Sequence, residues 1–303
     1  MFVLALVMAC TLEQYAQPEF HAAFSFEPEK AYIIRVQETR IIGDRTVRSS
    51  TGRVTFVYKP SNDGQGLINA TIDLGEYGLT EQQAAAVGLK PTDLQSTAQF
   101  EIGDDFQLLR IRNWKELGEQ SLRVATAILQ SQVSAGLMDQ EPFERAIAYL
   151  QSLASTHDGV FSMYSKRVGP YFLGFDWRLE ADQPVIQDSF FNEPFSADPM
   201  PATLTTSLVD DPDTKQLVEY QMVQSVESDA IHAALSGLVA ELGATTVEEA
   251  NKMFRHVEMS ATASWVYSLD LSAVTRTSFV RVMTLPNQPR AVETWTWELM
   301  GTP

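Results

Sequence analysis

Apolar and polar positions alternate along most of this chain, and the period is two more often than 3.6. Tyr32, Ile34 and Val36 fall on one side of a strand, with Arg35, Gln37 and Thr39 on the other. After a break at Gly43-Asp44, Val54, Phe56 and Tyr58 alternate again. Ile68, Ala70, Ile72 and Leu74 repeat the pattern beyond Pro60-Ser61-Asn62-Asp63-Gly64. Three strands joined by Gly, Asp and Asn turns predict an antiparallel meander with one wet face. Thr80-Glu81-Gln82-Gln83 opens a short helix that closes near Gly88. Residues 100–102 and 106–111, on either side of Gly103-Asp104-Asp105, predict a hairpin.

The period then lengthens. Asn113 stands where an N-cap would, with Glu116 at the third helical position. Leu117, Leu122, Ala125, Ile128, Leu129 and Val133 form roughly one stripe. Beyond Gly136 and Asp139, a second helix aligns Phe143, Ile147, Leu150 and Leu153 and ends at Thr156 or one turn later. From Gly169-Pro170 the pattern predicts strands over 171–179, 185–191, 202–209 and 217–226, with a proline-bearing loop at 192–201. Segments 229–242 and 246–255 read as two short helices split by Gly243. The clearest alternation comes last. Ala263, Trp265, Tyr267, Leu269 and Leu271 share a face, and further strands follow over 277–285 and 292–300.

Strands, helices, strands, helices, strands in that order predict an α+β fold. Its centre is a large, curved, mainly antiparallel sheet, half-open and barrel-like, covered by helices 114–156 and 229–255. One domain spans 31–303, preceded by a linker over 11–30. Such a sheet wrapped around helices leaves a concave apolar interior. Trp265, Tyr267, Trp295 and Trp297 either line a ligand cavity there or fill its core.

Composition narrows the function classes. Acidic residues outnumber basic ones 39 to 22, for a net charge of −17, which argues against binding nucleic acid. The charge is uneven: residues 174–230 hold twelve acids against Arg178 and Lys215, while residues 31–60 hold six bases against Glu38 and Asp44. That basic stretch reads either as a seat for an anionic headgroup or partner, or as protection of an edge strand.

Catalytic motifs are absent. The four histidines, His21, His157, His232 and His256, have no ligand-spaced partner, so no metal is expected. His157-Asp158 matches a metal-dependent phosphohydrolase only as a dipeptide and is read as a solvent-facing helix end near a C-terminus. Asp210-Asp211-Pro212-Asp213 reads as a turn. There is no GxSxG, and the single cysteine excludes an intramolecular disulfide. No cofactor is implied.

Nine uncharged, mostly apolar residues run into Cys10, and Val7-Met8-Ala9-Cys10 resembles the lipobox of bacterial lipoproteins. That resemblance implies a signal segment over 1–10, export to the periplasm or outer membrane, and membrane attachment through a lipidated Cys10. The other reading is a buried strand or chain end in which Cys10 is a small hydrophobe in a cytoplasmic protein. Leu109–Leu117 (LRIRNWKEL) and Val292–Met300 (VETWTWELM) resemble uncharacterised extracytoplasmic proteins of Gram-negative bacteria. The broad shape is similar to lipoprotein-carrier half-barrels, in which a curved antiparallel sheet closes over helices. Together these imply a non-catalytic envelope protein that takes an apolar or amphipathic ligand, such as a lipid, or a protein partner, in the concavity. A hydrolase with a dispersed site built on His157-Asp158 and the acids of 174–230, or a purely structural envelope component, are the alternatives.

Overall fold

A computed structural model describes residues 20–23, 26–60, 66–73, 81–103, 106–191, 200–209, 216–227, 229, 231–233, 257–284 and 289–301. Cys10, His256, the Asp210–Asp213 cluster and most of 229–255 lie outside them.

The first strand, β1 (Phe20–His21), pairs far along the chain with β7 (Arg178–Leu179). Five strands follow it: β2 (Ala31–Ile42), β3 (Arg45–Lys59), β4 (Gly66–Asp73), β5 (Gln95–Ile102) and β6 (Leu108–Ile111). A short helix, α1 (Glu81–Ala86), lies between β4 and β5. Three helices come next: α2 (Trp114–Ser134), α3 (Gln140–Ala154) and α4 (His157–Phe172). After β7 come β8 (Val185–Phe191), β9 (Met200–Leu208), β10 (Leu217–Val226), β11 (Glu258–Ser268), β12 (Ala273–Thr284) and β13 (Ala291–Gly301).

The result is α+β, as the alternation predicts. Among the described residues the main sheet has 11 strands in the order β6-β5-β4-β3-β2-β13-β12-β11-β10-β9-β8, and every pairing is antiparallel. It is an open sheet, with β6 and β8 at its edges. The first and last long strands, β2 and β13, meet in the middle. Each half of the chain is therefore a simple meander, and the connection between the two outer edges must cross the whole sheet. Helices α2–α4 make that crossing.

Inward-facing positions run across the sheet in rows. Val36, Trp297 and Thr277 share one, and Trp265 and Tyr220 extend it through β11 and β10. The helix set against these rows is α4. Val160, Tyr164, Val168, Tyr171 and Phe172 recur at helical spacing and are all buried. Thr156 caps it by accepting the Gly159 amide at 3.1 Å.

This helix corrects the sequence reading, which placed a strand over 171–179. Gly169-Pro170 normally breaks helices, but Pro170 lies in the last turn, where few intrahelical bonds remain to lose. Side chains of the sheet donate to carbonyls along this last stretch. Trp297 Nε1 donates to the Arg167 carbonyl at 2.6 Å, and Trp265 Nε1 donates to that of Pro170 at 2.8 Å. Tyr220 donates to the Gly174 carbonyl, while Tyr171 donates back to Val274 at 2.7 Å. Burial pushes both phenols well above their ordinary range, so they stay neutral donors. Gly174 passes over the Trp265 ring so closely that a Cβ there would lie 2.2 Å from it.

Two further differences follow from packing. The stretch read as a linker supplies Phe20, Ala22 and Phe26 to the core, and Phe26 meets Phe56 edge-on at 5.0 Å. Strands β2 and β3 are central, so the basic residues of 31–60 do not guard an edge. The edge that is guarded is that of β5, beyond short β6. Asn113, expected to cap α2, makes no cap bond with its side chain. Instead its Oδ1 accepts the Gln99 amide at 3.0 Å and its Nδ2 donates to the Thr97 carbonyl at 2.8 Å. Gln120 continues the row by donating to Gln95 at 2.8 Å.

Candidate functional site

Because α4 occupies the middle of the concave face, open volume remains on its two flanks. The first cavity, about 410 Å³, is enclosed by α2, α3, α4 and β4. Val124, Ala125, Ile128 and Leu129 face it from α2, Leu150 and Leu153 from α3, Met163 from α4, and Ile72 from the sheet. The size falls within the range of small-molecule sites. Its cause is visible in α3, none of whose residues is buried. The apolar stripe of that helix reaches toward the sheet without closing on it.

The helical roof is nevertheless fixed at one end. Ala154 of α3 crosses α2 at Gly118, where a Cβ would lie 2.3 Å from the Ala154 carbonyl oxygen. Close approach there, and open space farther along the α2–α3 pair, give the cavity its wedge.

Polar groups are few and gathered on one side. Ser121 and Tyr164 share a hydrogen bond at 2.9 Å. Arg167 lines the cavity and also borders a small neighbouring pocket with Val36, Glu38, Ser50, Val54 and Trp295. Glu38 is almost covered and pairs with Arg48 at 3.1 Å. Next to it, Arg40 and Arg281 meet Glu293 at 3.3 and 4.0 Å. Burial pushes the Arg281 guanidinium down; Glu293 opposes that shift and Arg40 adds to it.

The second cavity, about 430 Å³, lies on the other flank. Leu204, Met222, Ala261, Ala263 and Phe279 form its apolar floor, and Gln187, Ser189, Gln224 and Asp176 roughen its rim. Gln224 donates to Ser189 at 2.9 Å.

The four aromatic residues singled out from the sequence serve packing more than either cavity. Trp265 and Trp297 are fully buried, and Tyr267 donates to the Ala23 carbonyl at 3.2 Å. Trp295 is half-buried, stacked on Trp297 at 6.1 Å. It borders the small pocket of about 10 Å³, room for one water at most. The indole tips of Trp265 and Trp297 are committed to α4 and the phenol of Tyr267 to the chain at Ala23.

His157 begins α4, so the expectation of a helix C-terminus was misplaced. Its Nε2 accepts the Ile111 amide at 3.2 Å, its Nδ1 lies 3.0 Å from Asp158, and its ring stacks on Phe161. It ties β6 to α4. The first acid of the 174–230 group, Asp176, lies just past the other end of a helix about 24 Å long and pairs with His21 at 2.9 Å. His157-Asp158 and Asp176 are therefore not brought together. Among the described residues, no group of three His, Cys, Asp or Glu is placed to hold a metal ion. Among them too, no helix is long and apolar enough to cross a membrane.

The cavity residues had been read as a core-facing stripe. Their periodicity says which face turns inward, but not how far the inward face is from its partner.

No family model matches the chain, and no curated protein matches it. Among solved structures it is similar to one described as lipid–protein interactions in lipovitellin, with a TM-score of 0.41 and 11% identity. The match covers 92% of this chain and 26% of that one, so the chain spans about a quarter of that neighbour's length.

Proposed function

We propose that this protein is a non-catalytic carrier or receptor that holds one apolar or amphipathic molecule in the cavity between α2, α3, α4 and β4. The observation that supports this most is the pairing of an aliphatic cavity of about 410 Å³ with a helix, α3, that has no buried residue. A roof helix with an apolar stripe and no finished interior gains most of its missing burial from a ligand. At about 25 cal/mol per Å², even 150 Å² of extra apolar burial contributes roughly 4 kcal/mol.

Titration with Nile red, an uncharged apolar dye, tests the reading. Wild type should bind it saturably at one site, and Ala125→Trp, which projects a large ring into the cavity, should abolish binding with an unchanged far-UV CD spectrum. Absence of saturable binding by wild type, or unaltered binding by Ala125→Trp, would contradict it.

The proposal includes an address. The apolar run before Cys10 supports export and attachment to the cell envelope through that residue. Cys10→Ser should then move the protein from the membrane fraction to the soluble fraction; unchanged partition would refute the anchor.

A further inference from the structure

The concave face carries a charge pattern opposite to that of the molecule as a whole. Pairings across β3, β2, β13 and β12 place Arg48, Glu38, Arg40, Glu293 and Arg281 on the face that also holds Val36 and Trp297. Arg167 of α4 joins them at the small pocket it borders with Glu38. Four guanidinium groups thus surround two carboxylates, within a chain whose net charge is −17. A surplus of positive charge on the inner face of an acidic protein is not needed for solubility, which the acidic exterior already supplies.

The position of this patch relative to the cavity gives it meaning. Arg167 belongs to both, so the apolar volume has one guanidinium group at its side, with the Ser121–Tyr164 hydroxyl pair beside it and the Arg48–Glu38 pair across the small pocket. A CH₂ group is about the size of a water molecule, roughly 30 Å³. The cavity of about 410 Å³ therefore takes a chain of about fourteen carbons.

Resting on the ligand reading above, we infer that the occupant is a single-chain amphiphile with an anionic head, a carboxylate or a phosphate. Its tail lies between α2, α3 and β4, and its head is read by Arg167 beside the Arg48–Glu38 pair. Guanidinium groups suit such heads because their planar fork donates two parallel hydrogen bonds. The negative exterior repels the head at long range, but that field is screened within about 10 Å at 0.1 M salt, so the arginines dominate at contact.

Displacement of Nile red by palmitate, hexadecyl phosphate and hexadecanol, each with sixteen carbons, tests the head separately from the tail. Wild type should bind palmitate or hexadecyl phosphate about 10- to 100-fold more tightly than hexadecanol, the worth of a charge-assisted hydrogen bond. The stronger of the two names the head. Arg167→Gln should erase that preference, so that the acids bind no more tightly than hexadecanol. Should Arg167→Gln fail to fold by CD, Arg48→Gln, on the other side of Glu38, is expected to reduce the same preference. Equal affinity for the acids and the alcohol, or a preference that survives in a folded Arg167→Gln, would overturn the headgroup assignment while leaving the cavity reading intact. No saturable Nile red binding at all would remove both.

Discussion

Trp265→Phe tests whether the aromatic alternation of β11 exists to hold α4. The indole of Trp265 is fully buried, stacked on Tyr220 at 5.4 Å, and donates to the Pro170 carbonyl at 2.8 Å. Phenylalanine keeps a ring but has no donor. The Pro170 carbonyl, at the end of the helix, then loses this partner at a cost of about 1–3 kcal/mol. Roughly 40 Å³ of lost side-chain volume adds about 1 kcal/mol at 24 cal/mol per Å³ of cavity. The expected loss is about 2–4 kcal/mol. With an m-value of about 3 kcal/mol per M urea, the unfolding midpoint followed by CD should fall by roughly 1 M. Trp295→Phe, at a half-buried ring of the same chemical type, is the control and should cost less than about 1 kcal/mol. A Trp265→Phe midpoint no lower than that of Trp295→Phe would refute the claim that the indole N–H anchors the helix.

Three further outcomes follow from the packing. Gly118→Ala would ordinarily favour a helix by about 1 kcal/mol, but the new Cβ lies 2.3 Å from the Ala154 carbonyl oxygen, so overpacking of about 1–3 kcal/mol or more should win. It should lower the melting temperature and speed proteolysis at the α3–α4 junction. Asn113→Ala should cost about 1–2 kcal/mol and accelerate hydrogen exchange of the Gln99 amide, which it leaves at an open edge. Glu101 tests acid sensitivity. Burial pushes its carboxyl up, but hydrogen bonds from Arg110 and Arg112 outweigh that and hold it below the usual range. Its stabilising contribution is then complete above the unfolded value of about 4.3 and is lost as pH falls through the lower folded value. Urea midpoints measured from pH 7 to pH 3 should drop less steeply in Glu101→Gln than in wild type; parallel curves would contradict the assignment.

Strand alternation was legible where a strand has one face buried and the other partly open; β11 shows it from Met259 to Tyr267, and β2 over its first half. The long stripes of α2 and α3 were legible for the same reason, since a half-covered helix still has two sides. Helix α4 was not. Its Gly159, Gly169 and Pro170 argue locally against a helix, and the Tyr171, Phe175 and Trp177 pattern imitates a strand. Only the spacing of Val160, Tyr164, Val168 and Phe172 carried the signal, and tertiary burial, together with donors from β11 and β13, overrides the local preference. The candidate site was hidden for a related reason. Bulky alternating aromatics drew attention to β11 and β13, where the indole tips of Trp265 and Trp297 are taken up by α4 and the phenol of Tyr267 by Ala23. The cavity instead lies where Ile128, Leu150 and Leu153, unremarkable aliphatic residues, fail to meet the sheet. Periodicity reports direction and leaves distance unspecified. The pairing of β2 with β13 joins the first and last long strands, a long-range contact that no local pattern encodes.

The central claim is that an acyl tail lies between α2, α3 and β4, with its head at Arg167. Nuclear Overhauser effects between ¹³C-labelled palmitate and methyl-labelled protein test it most directly. Cross-peaks from mid-chain carbons to the Ile128, Leu150 and Leu153 methyls are predicted, with the carbons next to the carboxylate nearest Arg167. Cross-peaks to Leu204 and Met222 in the opposite cavity, or none to any methyl, would contradict the account.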